Sequence, residues 1–223
     1  MKDNLFVQAI SKFLLGVILV GVLLFVPTGT LRYPGGWLLM IILFVPMFLA
    51  GLVMLSRNPD LLRRRLKAKE TQREQDLVIK LSGLMFLVGF VLAGLDFRFG
   101  WVPLPRWINW LGAALFLLSY GLYAEVLREN TWLSRTIEVQ EGQKVVDTGL
   151  YGIVRHPMCS VTLVLFLSMP LVLGSILSFA VFLFYPVIIA KRIKNEEKVL
   201  EAELEGYSDY KNKVRYRLLP FIW

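Results

Sequence analysis

Cysteine and histidine are nearly missing: the 223 residues hold one of each, Cys159 and His156. A single cysteine excludes an intramolecular disulfide. A single histidine excludes a histidine-rich metal centre, so no metal is expected. The apolar and polar alternation of barrel strands is absent too. What fills the chain instead is hydrophobic residues, 56% of the total, arranged in runs. Several runs reach the roughly 20 helical residues that a hydrocarbon core demands. Only helices and closed barrels satisfy their backbone in lipid, so the expected fold is an all-α polytopic membrane protein. The net charge of +8 points to no nucleic acid, because the basic residues cluster at the ends of apolar runs. That placement suits membrane topology and anionic lipid headgroups.

The first run, about Leu5 to Val26, has no small-residue cleavage site after it and reads as a retained span. Pro27-Thr-Gly-Thr30 and Tyr33-Pro-Gly-Gly36 form a turn-rich connection. A second span runs from Trp37 to near Leu55, and Pro46 need not prevent its crossing. Residues 56–76 carry Arg57, Arg63, Arg64, Arg65, Lys67, Lys69 and Arg73; the reading adopted is a topology signal on an interfacial helix. Leu77 to about Leu95 is the third span, and Trp107 to near Val126 the fourth. Glycines recur in these spans, but Gly16, Gly21, Gly51, Gly89, Gly94, Gly112 and Gly121 make no G-x-x-x-G pair.

Charge asymmetry sets the orientation. Segments 27–36 and 96–106 hold one and two cations, whereas 56–76 holds seven, 128–157 four and the tail after Ala190 eight. The N-terminus, the two basic loops and the tail are therefore expected on the cytoplasmic side. Residues 158–190 then have both ends on that side and must form a helical hairpin, Met158 to about Val172 and about Ser175 to Ala190. Pro170 and Gly174-Ser175 are the turn signals near its middle. The expected organisation is N-terminal transmembrane helices over 1–127 and a C-terminal catalytic region over 128–223. In all there are four full spans, a C-terminal hairpin and a cytoplasmic amphipathic tail helix.

The hairpin brings the stretch Gly149-Leu-Tyr-Gly-Ile-Val-Arg-His-Pro-Met-Cys159 next to the tail that begins Lys191-Arg-Ile-Lys-Asn-Glu-Glu197. Arg155 and His156 read equally as snorkelling interface residues, with Pro157 merely starting a helix, or as part of a site. Arg192 and Glu196 are four residues apart and share one helix face. On a soluble helix such a pair is worth a few tenths of a kcal/mol. Here it lies at the mouth of a membrane hairpin, opposite Arg155 and His156. Tyr216-Arg-Leu-Leu-Pro-Phe-Ile-Trp223 reads as an apolar, aromatic segment suited to the interface.

Gly149-x-Tyr151, Arg155-His156-Pro157, the hairpin, Arg192-x3-Glu196-Glu197, Tyr207-x2-Tyr210 and Leu219-Pro220-Phe221-Ile222 together resemble the isoprenylcysteine carboxyl methyltransferases. These are membrane enzymes related to phospholipid N-methyltransferases. The resemblance covers about residues 138–223. It implies S-adenosylmethionine as cofactor, a lipophilic substrate entering from the bilayer and a site on the cytoplasmic side. Position by position, it implies cofactor contacts at Gln140, at Gln143, Lys144, Val145 and Val146, at Tyr151, and at His156, Pro157, Met158, Cys159 and Glu196. It implies Arg192 as the residue that meets the substrate. The chain departs from the family at Cys159, where tyrosine is usual, which removes a ring and a hydroxyl from the expected pocket wall.

General chemistry agrees with that role. Methyl transfer from a sulfonium is an in-line displacement that chiefly needs positioning. A carboxylate acceptor is already ionised at neutral pH, and a guanidinium holds it in a planar fork. Three alternatives stand beside it. A phospholipid headgroup N-methyltransferase shares the glycine-containing loop and the Glu-Glu pair but has to deprotonate an ammonium. An NADPH-dependent sterol-type membrane reductase has a similar C-terminal end, yet usually carries Asn-Tyr after Arg-His where this chain has Pro-Met-Cys. A non-catalytic membrane scaffold leaves Arg192, Glu196 and His156 unexplained.

Overall fold

The computed structural model describes residues 2–66, 73–133, 137 and 139–223. Of the basic stretch, Lys67 and Lys69 lie outside the described residues, as does the Arg73 side chain. The described residues form helices and turns, with no strand among them. α1 (Lys2–Thr28), α2 (Pro34–Arg57), α4 (Arg73–Phe99) and α5 (Arg106–Glu129) are the four expected spans, each long and apolar enough to cross a membrane. α2 runs through Pro46 unbroken. Between α2 and α4 lies the short α3 (Pro59–Leu66), which buries Leu61 and Leu62 and carries Arg63, Arg64 and Arg65. That amphipathic pattern is the one an interfacial helix needs.

The hairpin is present. Its first arm is α6 (Pro157–Leu173), and its second is α7 (Ile176–Phe182) followed by α8 (Tyr185–Glu203). At 1.5 Å per residue the 17 residues of α6 extend about 26 Å, slightly less than the roughly 30 Å hydrocarbon core. The turn differs in detail from the expectation. Pro170 stays inside α6, and the reversal is made by Gly174 at φ +73°, a left-handed conformation that glycine adopts at no steric cost. Ser175 then caps α7 by accepting from Ser178 N, and its hydroxyl donates to Asp96 Oδ2 at 2.6 Å. The last carbonyls of α6 have no partner within the helix. Asn109 donates to Val172 O and Tyr33 to Leu173 O, each at 2.8 Å.

The amphipathic tail is not a separate element. α8 runs without a break from the membrane arm through Ala190 to Glu203, so Arg192 and Glu196 ride on the same rod as the hairpin. Gly206, at φ +81°, turns the chain into a further short helix, α9 (Tyr207–Lys213).

In lipid, helices associate through close packing rather than through exclusion from water. The glycines serve this singly instead of as a repeat. A Cβ at Gly112 would stand 2.6 Å from Val172 N, and one at Gly35 would stand 2.9 Å from Val172 O. Backbones of α5 and α2 therefore approach the end of α6 directly. Phe116, Val172, Phe182 and Ile193 lie in the resulting core, while Leu15, Val26, Leu84 and Trp110 face outward as lipid-facing side chains do. This is an all-α polytopic membrane protein.

Candidate active site

The site is assembled at the basic end of the bundle, where α6 begins and α8 leaves the hairpin. Its foundation is a buried charge cluster around Glu197. Arg155 Nε donates to Glu197 Oε1 at 2.8 Å and Nη2 stands 2.7 Å from the same oxygen. Arg217 Nε donates to Oε2 at 2.8 Å, and His156 Nε2 lies 3.4 Å from Oε1. The remaining guanidinium nitrogen, Arg155 Nη1, donates to the carbonyls of Val214 and Arg215. The backbone continues the same attachment, with Arg155 N donating to Tyr216 O and His156 N to Arg217 O. Segment 214–217 is thereby laid against Arg155-His156. Arg155 is no snorkelling anchor: it is 6% exposed, and the low-dielectric interior makes such a charge tolerable only when paired and hydrogen-bonded.

On this foundation stands a cleft with about 900 Å³ of empty space, its open mouth included. One wall is the loop Gln143, Lys144, Val145 and Val146; another is Tyr151, His156, Met158 and Cys159; a third is Arg192 and Glu196 on α8. Thus the cleft gathers most residues that the family resemblance singles out. Gln140 and Pro157 are not among those that face it. Gln140 Nε2 donates to Trp132 O at 2.6 Å and its N–H to Gln143 Oε1 at 3.0 Å, which folds the loop. Pro157 is buried at the first position of α6, where its missing N–H costs nothing.

Glu129, at the end of α5, fixes the Gly149 turn. Its carboxylate accepts from Leu150 N, at 3.0 Å for Oε2 and 3.2 Å for Oε1. Gly149 sits at φ +53°, and any Cβ there would collide with that carboxylate. The glycine of the Gly-x-Tyr motif is therefore required by conformation, and a side chain there would also displace the Glu129 carboxylate. Tyr151 follows in a short 3₁₀ turn, Gly149–Gly152, and its carbonyl accepts from Tyr210 Oη at 2.7 Å. Lys213 Nζ, 2.6 Å from Asp147 Oδ2, ties the same loop to α9 and holds that carboxyl below its usual pKa.

Several groups at the cleft were not singled out from sequence. Tyr207, on α9, is 3% exposed and lines the cleft, and its hydroxyl has no hydrogen-bond partner among the described residues. Burial, then the carboxylates of Glu197 and Glu196, push this phenol's pKa up, so it is a neutral donor at any ordinary pH. An unpaired buried hydroxyl costs about 1–3 kcal/mol, and a ligand in the cleft that accepts from it removes that cost. Asn130, Trp132, Leu200 and Leu204 also line the cleft. The spacing Tyr207-x2-Tyr210 was visible, but only the position of α9 shows that one hydroxyl holds the loop while the other is buried at the cleft wall.

The residues fit a cofactor with an ammonium, a carboxylate, a sulfonium and an aromatic base. Glu196, whose side chain is 26% exposed, would be the acceptor for such an ammonium. Lys144 and Gln143 are donors, the face of Tyr151 suits a cation, and Val145 and Leu200 supply apolar contact.

A family model described as phospholipid methyltransferase matches residues 107–205, from the start of α5 to just past α8. No curated protein matches the chain. The family match spans 99 of the 223 residues, and it is in keeping with the resemblance drawn from sequence, which relates the isoprenylcysteine enzymes to phospholipid methyltransferases. S-Adenosylmethionine is the methyl donor this family implies.

Proposed function

We propose that the protein transfers a methyl group from S-adenosylmethionine to the carboxylate of a lipophilic, isoprenylcysteine-like substrate. The observation that carries the reading is the placement of Arg192 and Glu196, one turn apart on α8, at the wall of the cleft that also holds loop 143–146, Tyr151 and His156. The bound cofactor supplies an electrophilic methyl on a positively charged sulfur. Glu196 accepts its ammonium. Tyr151 offers a ring face to positive charge, and Tyr207 offers a hydroxyl donor. Arg192, nearer the bilayer along α8, presents a guanidinium to the acceptor's carboxylate and holds it for in-line attack. No proton has to be removed from such an acceptor. The substrate enters laterally from the lipid, and the cleft and both termini lie on the cytoplasmic side, as the distribution of Lys and Arg supports.

A second reading, methylation of a phospholipid headgroup amine, is favoured by the description of the matched family. It needs a base for the ammonium. Glu197 is occupied by two guanidinium groups, which leaves Glu196 or His156 for that task. The two readings separate in one assay. Purified protein in lipid nanodiscs is given labelled S-adenosylmethionine with either a prenylated cysteine acid or phosphatidylethanolamine. Base-labile methyl ester on the prenylated acid is the expected product; label only in the headgroup amine would replace this reading with the second. Calorimetry against S-adenosylhomocysteine and NADPH tests the class, and saturable binding of NADPH alone would overturn methyl transfer altogether.

A further inference from the structure

His156, Cys159 and Glu196 each offer one metal-ligating atom, and these atoms lie within 4.8 Å of one another at the cleft wall. We propose that the three form a binding site for a thiophilic divalent cation of the zinc type. The expectation of no metal rested on the lack of a His or Cys cluster. Here one residue of each ligand type suffices, because the start of α6 and the middle of α8 are brought together.

The histidine is oriented as a metal ligand is. Its Nε2 faces the Glu197 carboxylate at 3.4 Å, while Nδ1 lies 4.0 Å from Glu196 Oε1. A carboxylate only accepts, so in the neutral ring Nε2 carries the proton and Nδ1 presents its lone pair. Two acceptors then face one another across the cleft wall, an arrangement that a cation between them relieves. A carboxylate behind the distal ring nitrogen is the usual outer partner of a metal-bound histidine. This one cannot swing away, since Arg155 and Arg217 hold both of its oxygens. Cys159 is fixed relative to His156 by its N–H, which donates to His156 O at 2.9 Å.

Tetrahedral zinc, with bonds of about 2.0–2.3 Å, sets its ligand atoms about 3.3–3.7 Å apart. The three atoms reach that spacing by side-chain movements of about 1 Å, with the open cleft left for a fourth, exchangeable ligand. Arg192, one turn before Glu196, adds positive charge at the same wall. It weakens cation binding but favours the thiolate that must form. The inference extends to function on the methyl-transfer reading alone: His156 and Glu196 then serve both ligands, so the cation excludes the methyl donor and holds the enzyme inactive.

The test uses the full chain, chelator-treated and in detergent, titrated with Co²⁺ and followed by absorption. Cys159 is the only cysteine, so a thiolate-to-cobalt charge-transfer band has one possible origin. The expected result is a saturable band at one Co²⁺ per chain, abolished by Zn²⁺, lost in Cys159→Ser, and shifted to about tenfold weaker affinity or more in Glu196→Gln. Absence of the band in the wild-type protein overturns the site, whatever the variants do. In parallel, saturating Zn²⁺ is expected to weaken S-adenosylhomocysteine binding by about tenfold or more; unchanged affinity overturns the exclusion. Nucleoside binding without a cobalt band defeats the metal site and leaves methyl transfer standing. A cobalt band without nucleoside binding does the reverse.

Discussion

Arg155 and Glu197 form an ion pair whose side chains are only 4% and 5% exposed, 42 residues apart in sequence and joined through Nε and Nη2 to one oxygen. Of the two adjacent acids on α8, the second is thus a structural anchor for Arg155, His156 and segment 214–217. The first faces the cleft.

The two acids should therefore separate in mutagenesis. Glu197→Ala leaves the buried Arg155 guanidinium without its counter-charge, and removal of one member of a buried pair costs about 3–5 kcal/mol. A marked fall in unfolding temperature in detergent is expected. Glu196→Ala, at a partly exposed position, should change stability by about 0.5 kcal/mol or less. Equal destabilisation by the two would contradict the division.

Within the site, Glu196→Ala is expected to abolish S-adenosylhomocysteine binding while the protein stays folded. Arg192→Ala should retain that binding and lose methyl transfer. Calorimetry and a labelled-methyl assay on the same preparations decide the matter, and lost cofactor binding in the arginine variant would remove its substrate role.

Gly149→Ala forces a side chain into the left-handed region and into the Glu129 carboxylate. Backbone strain of that kind costs about 1–3 kcal/mol. The 3₁₀ turn that carries Tyr151 should loosen, and cofactor affinity should fall by about tenfold, near 1.4 kcal/mol. Glu129→Ala in the same background removes the collision but also the acceptor for Leu150 N, so it should restore affinity in part at most. Undiminished affinity in Gly149→Ala would show that the turn does not position the site.

Ser175→Ala probes the opposite end of the bundle. The variant loses the hydroxyl that donates to Asp96 and caps α7. Val102 N at 3.1 Å remains on the other Asp96 oxygen. A hydrogen bond to a charged group is worth about 1.5–3 kcal/mol, read as a lower unfolding temperature. Cofactor affinity measured at ordinary temperature should hold, since the site lies at the far end of α6. A large loss of affinity without loss of stability would argue against this separation.

Sequence alone determined the membrane class, the four spans and the hairpin, because hydrocarbon thickness fixes how long an apolar run must be. It also determined that Arg192 and Glu196 share a face, since helical period requires it. It did not show that Glu197 anchors Arg155. Neighbouring residues point about 100° apart on a helix, and which direction meets Arg155 depends on how α8 is rotated in the bundle. Nor did it show that Gly112 and Gly35 act singly, because close approach of two backbones is a property of pairs of helices. The His156, Cys159 and Glu196 constellation belongs wholly to the tertiary structure. Its ligands are 40 residues apart at the widest, and only the return of the hairpin, with Glu197 locked behind the imidazole, turns three scattered residues into one site.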